Sequence, residues 1–368
     1  MNLRRAPALL FVALLAGCTN TGWSTGFDRK PMFEDLVSGV ILPIYADLEG
    51  GAGDLHAATS ALADDPTEAR LTSAQQAWRA ARKRWKQSEG FRFGPVQSQK
   101  FGEAIDWWPA KPENIEEKIA GTEPITPEMI EAIGTSSKGF MAMEYLLFEP
   151  EGGNPAVLAR LTAEDGGARR RAYLVALAEN IKVKTAALYD AWDPAQGNHA
   201  AELREAGASA TYRTRKAAVD QIVNRLISQT EIVLSNKLGK PLGKNSGGEP
   251  QPDQEEAPRS DNSLEDMLDG LRAVAIVYTG DYEGHDGLGI SDLVRSKSEP
   301  LDASVLRDID NALGAVSAIP DPFRTALTDH PAEANAAYES VRELKRRLTT
   351  EVVGVLGVTL TFNDNDGD

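Results

Sequence analysis

Apolar side chains recur along this chain at helical spacing almost throughout. Phe33, Leu36, Val40 and Ile44 mark a helix over roughly 32–47. Leu71, Ala74, Trp78, Ala81 and Trp85 mark another, opened by Asp65-Pro66-Thr67-Glu68, and Gly50-Gly51-Ala52-Gly53 reads as a break between them. A helix over about 164–192 carries Tyr173, Leu177, Ile181 and Leu188. A longer one carries Val219, Ile222, Val223, Leu226, Ile227, Val233 and Leu234 and stops at Leu238-Gly239-Lys240-Pro241. Residues 241–262, rich in Gly, Pro, Asp and Glu, read as an exposed loop, and Ser263-Leu264-Glu265-Asp266 reads as a capping box opening the next helix. Two more helices follow near 302–318 and 331–356. Strand signals are poor, with few alternating β-branched runs and few hairpin dipeptides. The expected fold is all-α. The order of elements repeats, which predicts two tandem helical bundles, 32–196 and 197–368, related by a pseudo-twofold.

Three acids interrupt the apolar stripes. The segment Gly139-Phe140-Met141-Ala142-Met143-Glu144-Tyr145-Leu146-Leu147-Phe148 places Phe140, Met143 and Leu147 on one helix face and Met141, Glu144 and Phe148 on the next. Apolar on most sides, this helix is expected to be buried, and Glu144 with it. A buried carboxylate needs a cation, a metal, hydrogen-bond donors or a proton. Glu89 lies four residues beyond Trp85, so it either continues the buried stripe or sits at a frayed helix end in water. Asp106 stands between apolar neighbours in Ala104-Ile105-Asp106-Trp107-Trp108-Pro109, with Arg92 its expected countercharge. Trp107 and Trp108 are expected in the core.

The amino terminus adds an address. Arg4 and Arg5 precede an apolar run from Ala6 to Ala16 and then Leu15-Ala16-Gly17-Cys18, a secretory signal over 1–17 ending in a lipobox. Cys18 is the only cysteine, so no intrachain disulfide can form, and it is the expected lipidation site, followed by a polar tether over 18–31. Thr19 after the cysteine suggests sorting to the outer membrane, facing the periplasm of a Gram-negative bacterium. Removal of Arg4 and Arg5 from the 39 basic side chains leaves 37 against 55 acidic ones, a net of −18. Such a surface argues against nucleic acid as a partner. The membrane is reached through the lipid on Cys18.

The Gly139–Phe148 segment resembles the Gly-x-His-x-x-Glu helix of the imelysin-like family (iron-regulated or insulin-cleaving membrane proteins), with Met141 in place of the histidine. Trp85 to Glu89 leading into Phe93-Gly94-Pro95, the Ile105-Asp106-Trp107-Trp108-Pro109 segment, Gly287-Leu288-Gly289-Ile290-Ser291-Asp292-Leu293 and the carboxyl terminus from Leu356 also resemble that family, in order, over nearly the whole mature chain. The resemblance implies a cleft between two bundles that binds iron or a small iron-bearing ligand, lined by Glu89, Arg92, Asp106, Met141 and Glu144. Glu144 and Glu89 would be the metal-facing acids. Carboxylates suit Fe(III) whereas a thioether is soft, so Met141 weakens a direct metal site, and Met141→His is expected to restore one. The alternative is a structural or interaction lipoprotein that presents a vestigial site to an envelope protein. The family carries a peptidase label, yet no His-Glu-x-x-His or His-x-x-Glu-His motif occurs among the four histidines, and catalysis ranks last. The acids at 364, 366 and 368 do not fit an EF-hand. The Asp281–Asp286 turn reads as a helix-terminal loop before it reads as a cation site.

Overall fold

The computed structural model describes residues 26–361; Cys18, the signal segment and the acids at 364, 366 and 368 lie outside them. Arg29–Asp35 runs through a π-helical segment, Leu36–Ile41, into α1, Leu42–Asp64. Then come α2 (Glu68–Ser88), α3 (Gly139–Leu147), α4 (Gly167–Trp192), α5 (Arg215–Glu231), α6 (Ser263–Thr279), α7 (Glu299–Ser317) and α8 (Pro331–Arg347). Shorter helices fill the connections, and among the described residues the only β pairing is an isolated Tyr282–His285 bridge. The fold is all-α, as the spacing predicts.

In the first half α1 packs on α2 and α4, and α3 lies against α2 and α4; in the second α7 packs on α6 and α8, and α5 on α6 and α8. The halves meet where α2 and the turn after it press on α6. The α2 stripe is almost completely dry: Leu71, Ala74, Trp78 and Ala81 are 0% exposed and Trp85 1%. Trp78 Nε1 donates to the Phe140 carbonyl at 3.0 Å, so its one polar atom is satisfied in the core.

Four local expectations change. The glycines at 50, 51 and 53 do not break the chain; they lie inside α1. A Cβ on Gly51 would stand 3.5 Å from Ala81 Cα, so a small residue there lets α1 and α2 approach closely. The 241–262 loop is only partly exposed: Glu255, Ala257, Ser260 and Asn262 are buried, because this stretch is a strap threaded into the seam between the halves. Ser263 starts α6 without capping it; its hydroxyl donates to Glu255 at 3.1 Å instead. Trp107 is 43% exposed rather than core. Asp106 is extended (φ −148°, ψ 91°), and along extended chain successive side chains point to opposite sides, so drawing Asp106 inward turns Trp107 outward.

Candidate functional site: a buried charge network in the seam

The family-like helix begins at a position only glycine tolerates. Gly139 has φ +77°, and a Cβ there would lie 2.3 Å from the Ile105 carbonyl oxygen. That contact sets α3 directly beside the Asp106 segment. Glu144 is buried on α3, and its Oε1 accepts three hydrogen bonds from the strap: the Arg259 N–H at 3.0 Å, the Ser260 N–H at 2.9 Å and the Ser260 hydroxyl at 2.7 Å. Burial pushes the Glu144 carboxyl up to about 7, against the pull of the Ser260 donors and the Arg82 charge. Its partner is therefore the chain itself, 115 residues away.

Asp106 is held by α2. Its Oδ1 accepts from Arg82 Nη1 at 2.8 Å, and its Oδ2 accepts from Lys86 Nζ at 2.6 Å and Trp85 Nε1 at 3.0 Å. Burial raises its pKa, but Arg82 and Lys86 outweigh that and hold Asp106 down to about 2. Arg92, the expected countercharge, is not the partner; its guanidinium lies over Gly102, where an added Cβ would meet it at 2.5 Å. Glu89 is buried in the turn after α2, so the stripe does continue inward. Its carboxylate accepts from Gln229 at 3.3 Å and lies 3.5 Å from Lys86 Nζ, while its carbonyl accepts from Arg225 Nε at 2.7 Å.

The same cations reach across the seam. Arg82 also donates to Asp266 of α6, from Nε at 3.0 and 2.9 Å and from Nη2 at 2.7 Å. Glu256 on the strap accepts from Arg82 at 3.0 Å, from Lys86 at 2.5 Å and from Lys237. Three cations pull Glu256 well below the usual carboxylate range in spite of its burial. The three sequence-marked acids thus border one continuous network: Asp106 and Glu89 are engaged through both carboxylate oxygens and Glu144 through Oε1. Met141 is buried but stands apart from the contiguous apolar core. Among the described residues no group of three or more His, Cys, Asp or Glu side chains is placed to hold a metal ion. An open groove of about 670 Å³ lies alongside, between Arg79 and Lys83 of α2 and Ser260, Asp261 and Asp321.

Sequence reasoning passed over Arg82, Lys86, Lys237, Glu256, Asp266 and Ser260. For the first two a signal exists: 82, 86 and 89 are spaced by four and three, which puts two cations and an acid on one helix face beside the Trp stripe. Nothing local marks Ser260 or Glu256, whose role comes only from the strap's path.

This geometry defines a helical protein with a buried ionic seam between its two halves. The Imelysin family model matches residues 41–348, and the chain belongs to that family. It is 32% identical over 300 residues to iron-regulated protein A of Synechococcus elongatus, covering 80% of this chain and 77% of that one. A crystal structure of an iron-regulated protein A precursor from Parabacteroides distasonis superposes with a TM-score of 0.75 at 23% identity, covering 89% of this chain and 95% of the other. An imelysin-like protein from Psychrobacter arcticum gives 0.71 at 16% identity, covering 91% and 97%. These two likenesses bear on the fold.

Proposed function

We propose that the protein is an envelope lipoprotein of iron homeostasis, anchored through Cys18 to the outer membrane, that binds an iron-bearing ligand at the seam rather than a bare iron ion. The iron connection comes from the name of the Synechococcus relative. The observation that carries the rest is the state of the three acids: Glu144, Asp106 and Glu89 converge on one seam, yet protein cations and donors hold both oxygens of Asp106 and Glu89 and Oε1 of Glu144. A bare ion would have to displace buried Arg82 or Lys86, leaving a desolvated charge at a cost of several kcal/mol. The mature chain's net charge of −18, 37 basic against 55 acidic side chains, concentrates cations near the surface without supplying a cage.

A second reading has its own observation. Glu144 uses one oxygen to pin two consecutive strap amides, which is what an acid kept for structure does, and it favours an interaction lipoprotein with a vestigial metal site. Metal analysis of tag-free mature protein after incubation with Fe(II), Fe(III) or a ferric chelate separates the readings. The proposal expects iron to be retained only from the chelate. Stoichiometric uptake from simple salts, lost in Glu144→Gln, would overturn it, and no retention from any source would favour the second reading.

A further inference from the structure

We propose that Arg82, Lys86 and Lys237 form a receiving site for the carboxylate of a small ligand, and that Glu256 occupies it in cis as a tethered stand-in. Three cations from two helical segments, α2 and the π-helical Ile232–Gly239 that continues α5, converge on this one carboxylate. The Lys237 side chain is 4% exposed, and among the described residues Glu256 is the one acid within ion-pairing distance of it. An unpaired ammonium at that depth costs several kcal/mol, so the site has to hold an anion at all times. Arg82 and Lys86 differ from Lys237 in keeping other partners, Asp266 and Asp106 for Arg82 and Asp106 for Lys86. The walls of the site therefore stay in place when Glu256 leaves.

Glu256 is also the member placed to leave. Its side chain is 17% exposed, against 0%, 3% and 4% for the cations it joins and 4% and 1% for Asp106 and Asp266. It stands on non-helical backbone between Pro252–Gln254 and α6, flanked by Glu255, which Arg324 holds at 2.7 Å, and by buried Ala257. The anchors on either side let the side chain swing to solvent without the strap unseating. An entering carboxylate would take over the three cations while the rest of the ligand projects along the path Glu256 vacates. Guanidinium and ammonium donors arranged around one carboxylate suit that group's geometry and charge.

This deepens the proposed function by naming the ligand chemistry, and it rests on that reading only for the presence of iron in the ligand. The test therefore uses an iron-free probe, citrate, titrated calorimetrically into the mature native chain, Glu256→Gln, and Glu256→Gln combined with Lys237→Met. Glu256→Gln removes the tethered competitor at nearly constant shape, and citrate should bind about tenfold tighter or more than to the native chain. The gain should vanish with Lys237→Met. Glu256→Asp, one methylene shorter and still anionic, should bind with intermediate affinity and serves if the Gln variant folds poorly by circular dichroism. Equal affinity for native and Gln (or Asp) chains, or a gain that survives Lys237→Met, would overturn the inference. Iron retention without this pattern would leave the proposed function standing and remove only the site.

Discussion

Replacing Glu144 by Gln isolates the ionisation of the strap's anchor. In the unfolded chain this carboxyl titrates near 4.5, and in the fold burial moves it to about 7. Between those values the unfolded chain has released a proton that the folded chain still holds. Folding stability from this residue is therefore fully present below 4.5, falls as pH rises, and is lost above 7. The rise from 4.5 to about 7 corresponds to about 3 kcal/mol in a residue that is 2% exposed. Gln keeps the carbonyl oxygen that Arg259 and Ser260 donate to, and it never ionises. Urea unfolding of both proteins from pH 4.5 to 8.5 should show the gap between them moving by about 3 kcal/mol in favour of Gln, since all other titrations cancel in the difference. A gap that stays constant over that range would refute the reasoning, and Glu144 would then be an ordinary ionised acid in the fold.

Arg82→Met should lower unfolding stability at pH 7 by about 3–5 kcal/mol, because it strands Asp266 and half of the Asp106 pairing in a dry site. Equilibrium denaturation measures it. Gly139→Ala should cost about 1–3 kcal/mol or more, since it adds a strained positive φ and a close contact with the Ile105 carbonyl; a neutral result would mean α3 can shift away from that segment. Cys18→Ser should move the mature protein from the membrane fraction to the soluble periplasm. Sedimentation with membranes after a high-salt wash would contradict the lipid anchor.

Much of the fold was legible because its signal is local. The Leu71–Trp85 stripe announces α2 by spacing alone, and those side chains are 0–1% exposed. Gly50, Gly51 and Gly53 misled for a tertiary reason, since the approach of Ala81 to Gly51 cannot be read from a single helix. The site divides the same way. That Glu144 and Asp106 are buried and partnered follows from their apolar neighbours. Which partners they have does not, because Ser260 lies 116 residues downstream of Glu144 on a strap whose composition reads as exposed loop. Arg92 is the expected partner of Asp106 from sequence, yet helical spacing gives Arg82 and Lys86 the inward direction.

Glu144 is held by the strap through Oε1. Sequence alone suggests that Met141→His would create a metal-binding His-x-x-Glu pair; the commitment of Glu144 Oε1 to Arg259 and Ser260 argues for the opposite outcome. Calorimetric titration of Fe(II) and Zn(II) into the native chain, Met141→His, and Met141→His with Glu144→Gln tests it directly. The account predicts that Met141→His binds neither metal more tightly than the native chain. A gain in affinity that Glu144→Gln abolishes would contradict it.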